Sequence, residues 1–232
     1  MELGEALAEA LAGRPLRFYP ALLSTEADAL AWARAGAAQG SVVAAGYQAS
    51  PRGRAGMEWE VGDGLAFSLV LRPRPRIPGP REGWLYTVAV SGLADGLGGE
   101  ARIEWPDEVR RGEASAGAIG VHVELGPLGV DWAVVNVLVR SGDPELVPSI
   151  ATAIEERLAA PTAPVLAAYL RRCETIGRSV RARLIPLGPA GPEVSGIAVS
   201  SSVDGSLVLE TAAGRRVAVP PQNLGRLEPA LP

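Results

Sequence analysis

The character of the sequence changes near Ile176-Gly177. Beyond Arg178 the chain offers only short strand-like runs, Ser179–Pro186, Gly196–Ser200, Ser206–Glu210 and Arg215–Val219. Asp204-Gly205 and Ala213-Gly214 separate the later runs as tight turns. Asp-Gly between apolar runs is a strong hairpin signal, because the tight turn needs positive φ at its central residues. Such a meander closes most easily as a small SH3-like β-barrel. The residues before the change mix helical and strand patterns. Two units are therefore predicted, 1–176 and 177–232.

In the first unit, Glu5–Leu11 reads as a short amphipathic helix that ends at Gly13-Arg14-Pro15. Leu16–Tyr19 reads as a strand. Thr25 is the expected N-cap of an alanine-rich helix reaching about Ala38, with Asp28 as its box-like partner and Gly40 as the stop. Val42–Tyr47 and Leu65–Leu71 read as strands, the second apolar on both faces and so an inner one. Trp84–Leu93 favours a helix, with Thr87–Val90 also readable as a strand. Ile103–Pro106 is a short extended segment broken by its proline. Ala118–Leu125 and Asp131–Arg140 flank Gly126-Pro127-Leu128-Gly129, the pattern of an antiparallel hairpin. Pro148–Leu158 and Thr162–Cys173 read as helices. The fold class is α+β, a mixed sheet covered by helices.

With 47 % hydrophobic and 21 % charged residues, the chain has enough apolar side chains to bury a core. A net charge of -4 gives no electrostatic reason to expect a nucleic-acid partner. The single cysteine, Cys173, rules out an internal disulfide and suits a cytoplasmic setting. The acidic start Met1-Glu2-Leu3-Gly4-Glu5 is unlike a signal peptide, and no apolar run is long enough for a bilayer, so no membrane partner is expected.

The clearest candidate chemistry follows the strand that ends at Tyr47. Arg52, Gly53, Arg54 and Gly56 form an arginine- and glycine-containing turn. Glycines let backbone amides approach an anion, and arginine presents a planar fork of donors. That combination suits a phosphate, an acyl phosphate or a carboxylate. A solvated surface turn has the same composition.

A longer series of signals resembles the biotin/lipoate protein ligase family. It runs from Ser24-Thr25 through Gln48-Ala49-Ser50-Pro51-Arg52-Gly53-Arg54-Ala55-Gly56-Met57-Glu58-Trp59 to Gly64-Leu65 and Arg72-Pro73. The family carries Ser-Thr, then Gln-x-x-Gly-Arg-Gly-Arg-x-Gly-Arg-x-Trp, then a Gly-Leu strand ending near Arg-Pro. Trp105-Pro106-Asp107-Glu108 is similar to its Lys-Trp-Pro-Asn-Asp, and Arg172–Val180 to the join with its C-terminal barrel. The resemblance covers nearly the whole chain. It implies a class II synthetase-like catalytic layer with an SH3-like barrel; the chain is expected to have no room for the N-terminal DNA-binding domain that some of these ligases carry.

It also implies a two-step reaction. Biotin or a related small carboxylic acid reacts with ATP, assisted by Mg2+, to give an acyl-adenylate. A lysine of a biotin or lipoyl carrier domain then takes the acyl group. By resemblance, Arg52 and Arg54 are the catalytic residues on the adenylate. Gln48 lies by the biotin rings, with Ser24 and Thr25 near their polar head. Gly53, Gly56, Trp59, Trp105 and Asn136 complete the expected substrate site, and a homodimer is an expected assembly. Asp107 is a candidate magnesium ligand, with a solvated loop as its plainer reading.

The departures from the family converge on one region. The lysine before Trp-Pro is Glu104, and the lysine of Lys-x-x-Gly-Ile-Leu falls on Ala114. The third loop arginine is Met57 and the first loop glycine is Pro51. Gly-x-Gly-x-Asn becomes Trp132-Ala133-Val134-Val135-Asn136, in which only the asparagine survives. Losing one well-placed charged donor costs about 2.7–4 kcal/mol of transition-state stabilisation. The departures suggest lost activity, a different acid, or a protein that only binds a small ligand or a carrier. The arginines at 72, 74, 76 and 81 could supply a replacement charge. His122 reads as a strand residue, and Cys173 as a packed thiol near the join.

Overall fold

The computed structural model describes residues 2–62, 64–186 and 191–230. A seven-stranded mixed sheet forms the larger layer, in the order β1-β2-β3-β7-β6-β5-β4. Its strands are β1 (Leu16–Tyr19), β2 (Val42–Ala45), β3 (Leu65–Leu71), β4 (Arg102–Glu104), β5 (Glu108–Arg111), β6 (Ala114–Gly126) and β7 (Gly129–Val139). β1 and β2 run parallel, whereas β2-β3, β3-β7 and β6-β7 are antiparallel. The smaller antiparallel sheet, order β11-β10-β9-β8-β12, comprises β8 (Ser179–Leu184), β9 (Glu193–Ser201), β10 (Leu207–Glu210), β11 (Arg216–Val219) and β12 (Leu224–Pro229). This is a helix-covered mixed sheet followed by a small SH3-like sheet.

Side-chain alternation divides the large sheet into two faces. Val42, Phe67, Leu69, Val135 and Val137 belong to the main core, with α3 (Trp84–Leu97) and α4 (Leu146–Ala159). Every residue of α3 from Trp84 to Ala94 is buried, so this helix lies inside the molecule. Gly92 and Gly96 let α4 approach closely: a Cβ at Gly92 would stand 2.6 Å from the Ile154 Cα. The opposite face carries Val43, Val70, Trp132 and Val134 beneath Ala29 and Ala33 of α2 (Thr25–Arg34). Two further helices, α1 (Leu3–Ala10) and α5 (Thr162–Arg172), complete the layer. No helix of the described residues is long and apolar enough to cross a membrane.

Several boundaries differ from the sequence reading. Ser24, not Thr25, caps α2: its side chain accepts the Glu26 N–H. Asp28 instead receives bonds from Arg17 and the Tyr19 hydroxyl. The helix ends at Arg34, ahead of Gly36 at φ +94°, where the expected end was Ala38. β2 stops at Ala45, and α3 runs on to Leu97. Sequence reading missed β5 and β12 altogether.

Candidate functional site

Ser68 of β3 pairs with Asn136 of β7, and Asn136 pairs on its other side with Gly120 of β6. Ser68 is 0 % exposed and Asn136 2 %. The Ser68 hydroxyl lies 2.8 Å from Asn136 Oδ1 and 2.9 Å from Thr25 Oγ1. Gln48 links the next layer: its Oε1 accepts the Thr25 N–H at 2.8 Å, and its Nε2 donates to the Ala66 carbonyl at 3.0 Å. Buried Ser24, Thr25, Ser68 and Asn136, with half-buried Gln48, thus form one polar patch beneath the start of α2. Within it, Asn136 Nδ2 has no hydrogen-bond partner among the described residues. Leaving a buried donor unsatisfied costs roughly 1–3 kcal/mol, which an acceptor on a ligand would relieve.

The arginine loop lies over this floor. A Cβ at Gly120 would meet the Gly53 carbonyl carbon at 2.6 Å, and a Cβ at Gly53 would meet Trp59 Nε1 at 2.3 Å. Gly53 is therefore sandwiched between the Trp59 indole and the strand, and any side chain at either glycine would lift the loop. Gly56, at φ +72°, and Ala55, at φ 54°, make the exposed turn. Arg52 holds its own loop, donating to the Gly56 carbonyl at 2.9 Å and standing 3.4 Å from Glu58.

Arg54 takes a different course. Only 6 % exposed, it donates through Nε to Asp107 at 2.9 Å and through Nη1 to the Leu224 carbonyl of the small sheet. Burial pushes the Asp107 carboxyl above its ordinary range, and the Arg54 guanidinium pulls it back. Burial likewise raises the nearby Tyr86 hydroxyl, again opposed by Arg54. Arg54, Met57, Glu104–Glu108 and Leu224–Leu227 line a cleft of about 350 Å³ between the two sheets. Trp105 is buried beside it, its indole N–H donating to the Gly205 carbonyl at 3.0 Å.

The expected site residues thus fall into two groups, the polar patch with Gly53 and Trp59, and the cleft with Arg54, Trp105 and Asp107. Arg52 and Gly56 face outward. Sequence reasoning missed Ser68 and Gly120. A hydroxyl within the buried run Leu65–Leu71 was the available signal for the first. For the second it was a glycine inside a strand, which often marks close approach of another backbone.

Charge is placed unlike the family pattern. The chain's 22 basic residues are all arginine. Glu104 pairs with Arg110 at 3.3 Å. Three arginines of the proline-rich loop are committed elsewhere: Arg72 to the Ala33 and Ala37 carbonyls, Arg76 to Asp131 and Arg81 to the Val203 carbonyl. Trp132 and Val134 pack under α2, away from the cleft, and the His122 ring stacks on Trp132 with centroids 6.1 Å apart. Among the described residues no three His, Cys, Asp or Glu side chains gather as a metal cage, and Asp107 Oδ2 is spent on Arg54.

The architecture and the buried polar patch define a protein of the biotin protein ligase fold. The biotin protein ligase of Aquifex aeolicus, solved with biotin and ATP, superposes with a TM-score of 0.71 over 93 % of this chain and 99 % of that one, at 20 % identity. The biotin acetyl coenzyme A carboxylase synthetase of Helicobacter pylori, solved with biotinylated ATP, gives 0.62 over 89 % and 100 %, at 18 % identity. A biotin protein ligase-like protein of unknown function from Silicibacter sp. gives 0.66 over 90 % and 95 %, at 17 % identity. No protein-family model matches the chain. In sequence, 101 residues are 34 % identical to the bifunctional ligase/repressor BirA of Bacillus subtilis, 42 % of this chain but only 31 % of that protein's length. The chain therefore has the biotin protein ligase fold, and it spans about a third of the length of the curated relative it matches.

Proposed function

We propose that this protein is an acyl-adenylating ligase, with residues 1–176 as its ligase unit and 177–232 as its barrel. It binds biotin or a closely related carboxylic acid, whose carboxylate attacks the α-phosphate of ATP to give the acyl-adenylate and release pyrophosphate. The amine of a carrier-domain lysine then takes the acyl group as an amide and AMP leaves. The first step brings a carboxylate against a phosphate, so a fixed cation in a dry site contributes most to lowering the barrier. Arg54 is the buried cation available for that role.

One observation carries the reading of the acid. Asn136 Nδ2 is an unpaired donor in an otherwise bonded patch. A head group bearing a carbonyl, such as the ureido ring of biotin, satisfies it, whereas the dithiolane of lipoate and the alkyl chain of octanoate do not. Incubation with ATP, magnesium and these three acids, read by mass spectrometry, is expected to give biotinyl-AMP. Asn136→Ala should weaken biotin binding by about 5- to 150-fold, the worth of one buried hydrogen bond of roughly 1–3 kcal/mol. Folded protein that binds none of the three acids would refute the assignment.

A second reading is binding without turnover. It is favoured by the prior engagement of Arg54 with Asp107 and Leu224, in a chain whose basic residues are all arginine. Biotin binding unaccompanied by biotinyl-AMP would select it.

A further inference from the structure

We infer that the molecule holds a second ligand site, built for a small, free phosphate monoester with an apolar body. A cavity of about 320 Å³ lies between the proline-rich loop that follows β3 and the corner joining α4 to α5. Arg74, Arg76, Ile77, Arg81 and Trp84 line it from the loop side, and Leu158–Thr162 from the other. It shares no lining residue with the cleft between the sheets or with the polar patch. Gln48 of that patch bonds to Ala66 near the start of β3, whereas the loop leaves β3 beyond Leu71, so the cavity lies at the other end of the large sheet.

The loop is stiff and its arginines are already oriented. Prolines at 73, 75, 78 and 80 fix φ along the segment. The Ile77 carbonyl accepts the Val130 N–H at 2.8 Å, which pins the loop to the start of β7. Gly129, at φ +111°, permits that approach, since a Cβ there would stand 2.2 Å from the Ile77 oxygen. Arg76 donates to Asp131 at 2.6 Å and Arg81 to the Val203 carbonyl at 3.2 Å. Each bond spends one donor of a guanidinium and aims the others. Arg74 is exposed at the rim, with the Pro73 carbonyl 3.4 Å away.

Charge and shape select the ligand. No lining residue is acidic. Of the three lining guanidiniums only Arg76 is ion-paired among the described residues, so two positive charges are unmatched. Acids on the flanking segments do not pair with them: Glu82 accepts from Gln222, Glu155 pairs with Arg14, and Glu156 is exposed. The end of α4 and the start of α5 meet at the corner, so their opposite dipoles offset and the arginines set the sign. A phosphate monoester is close to a dianion above neutral pH, and its oxygens fit the guanidinium fork. A carboxylate would leave one charge unmatched. Ile77, Trp84, Leu158 and Pro161 give the body an apolar wall. The volume is at the lower end for ligand pockets, which favours a body of about one ring.

The test is calorimetric titration of the full chain with phenyl phosphate and with benzoate, at low salt and just above neutral pH. The expected result is saturable binding of phenyl phosphate, tighter than that of benzoate. Affinity for phenyl phosphate should fall about tenfold or more in Arg74→Gln/Arg81→Gln. It should be unchanged in Arg226→Gln, which lies on the cleft instead. Arg81 also bonds to the small sheet, so Arg74→Gln is measured alone. That side chain touches only its own neighbour, and its loss should weaken binding about threefold with no change in melting temperature. Equal affinity in the wild type and the double variant, a preference for benzoate, or no saturable binding would each overturn the inference.

Discussion

Replacement of Arg54 by alanine is expected to suppress acyl-adenylate formation by about a hundred- to a thousandfold, the usual loss for one charged donor at a developing negative charge. The same substitution should destabilise the fold. Arg54 is 6 % exposed and its main partner, Asp107, is itself largely enclosed. Removing one member of a buried pair strands the other charge, at about 3–5 kcal/mol; the partial exposure of Asp107 puts the expectation near 3 kcal/mol. Neutralising both partners removes the stranded charge, so Arg54→Ala/Asp107→Ala should recover much of the stability in urea and none of the activity. The pH dependence has a definite sign. Burial already raises the Asp107 carboxyl and Arg54 opposes that rise. Without Arg54 the folded-state value climbs further above the unfolded one. A raised acid stabilises the fold only while protonated, so the deficit of Arg54→Ala is largest at neutral pH and shrinks as pH falls into the carboxylate range. Wild-type levels of acyl-AMP in the single variant would dismiss Arg54 as the catalytic cation.

Apolar periodicity made the large layer legible. The run Leu65–Leu71 reads as an inner strand because both of its faces are apolar, and all seven residues are buried. Glycine and proline marked the hairpin of β6 and β7, and Asp204-Gly205 marked a turn of the small sheet. The elements that escaped have no such signal. β5, Glu-Val-Arg-Arg, is short and mostly charged, and is a strand because β4 and β6 pair with it on both sides. β12 begins after Pro220-Pro221 and contains a glycine, features that argue for a loop. The site divides in the same way. Motif order pointed to Gln48, Gly53 and Asn136. It could not reveal that Ser68 joins Thr25 to Asn136 across 43 and 68 positions of sequence. Nor could it reveal that Arg54 reaches Leu224, 170 residues away. Such partners are set by strand pairing and by the contact between the two sheets, and neither has a local signature.

That contact turns on Trp105, and Trp105→Ala should be among the most damaging substitutions to stability. The side chain is 3 % exposed and its indole bonds to the Gly205 carbonyl, while its backbone N–H donates to Thr175 Oγ1 at 2.9 Å. Truncating a buried aromatic to alanine costs about 3–5 kcal/mol. Trp105→Phe keeps most of the apolar volume and loses the indole donor, so about 1–3 kcal/mol is expected for the stranded carbonyl. The backbone bond to Thr175 survives in both variants, which confines the difference to the ring. The other polar links across the same boundary are Arg54 to the Leu224 carbonyl, Arg81 to the Val203 carbonyl at 3.2 Å, Gln222 to Glu82 at 3.4 Å and the close approach of Gly83 to Asp204. Without the indole the coupling falls to these bonds and to the apolar cluster that both sheets share, and the small sheet should melt ahead of the large one as a separate calorimetric transition. Arg54 is held by a carbonyl of that small sheet, so acyl-adenylate formation should fall in step with this uncoupling. A single transition with a loss under about 1 kcal/mol, well short of the cavity cost, would show that the sheets are joined by something other than Trp105.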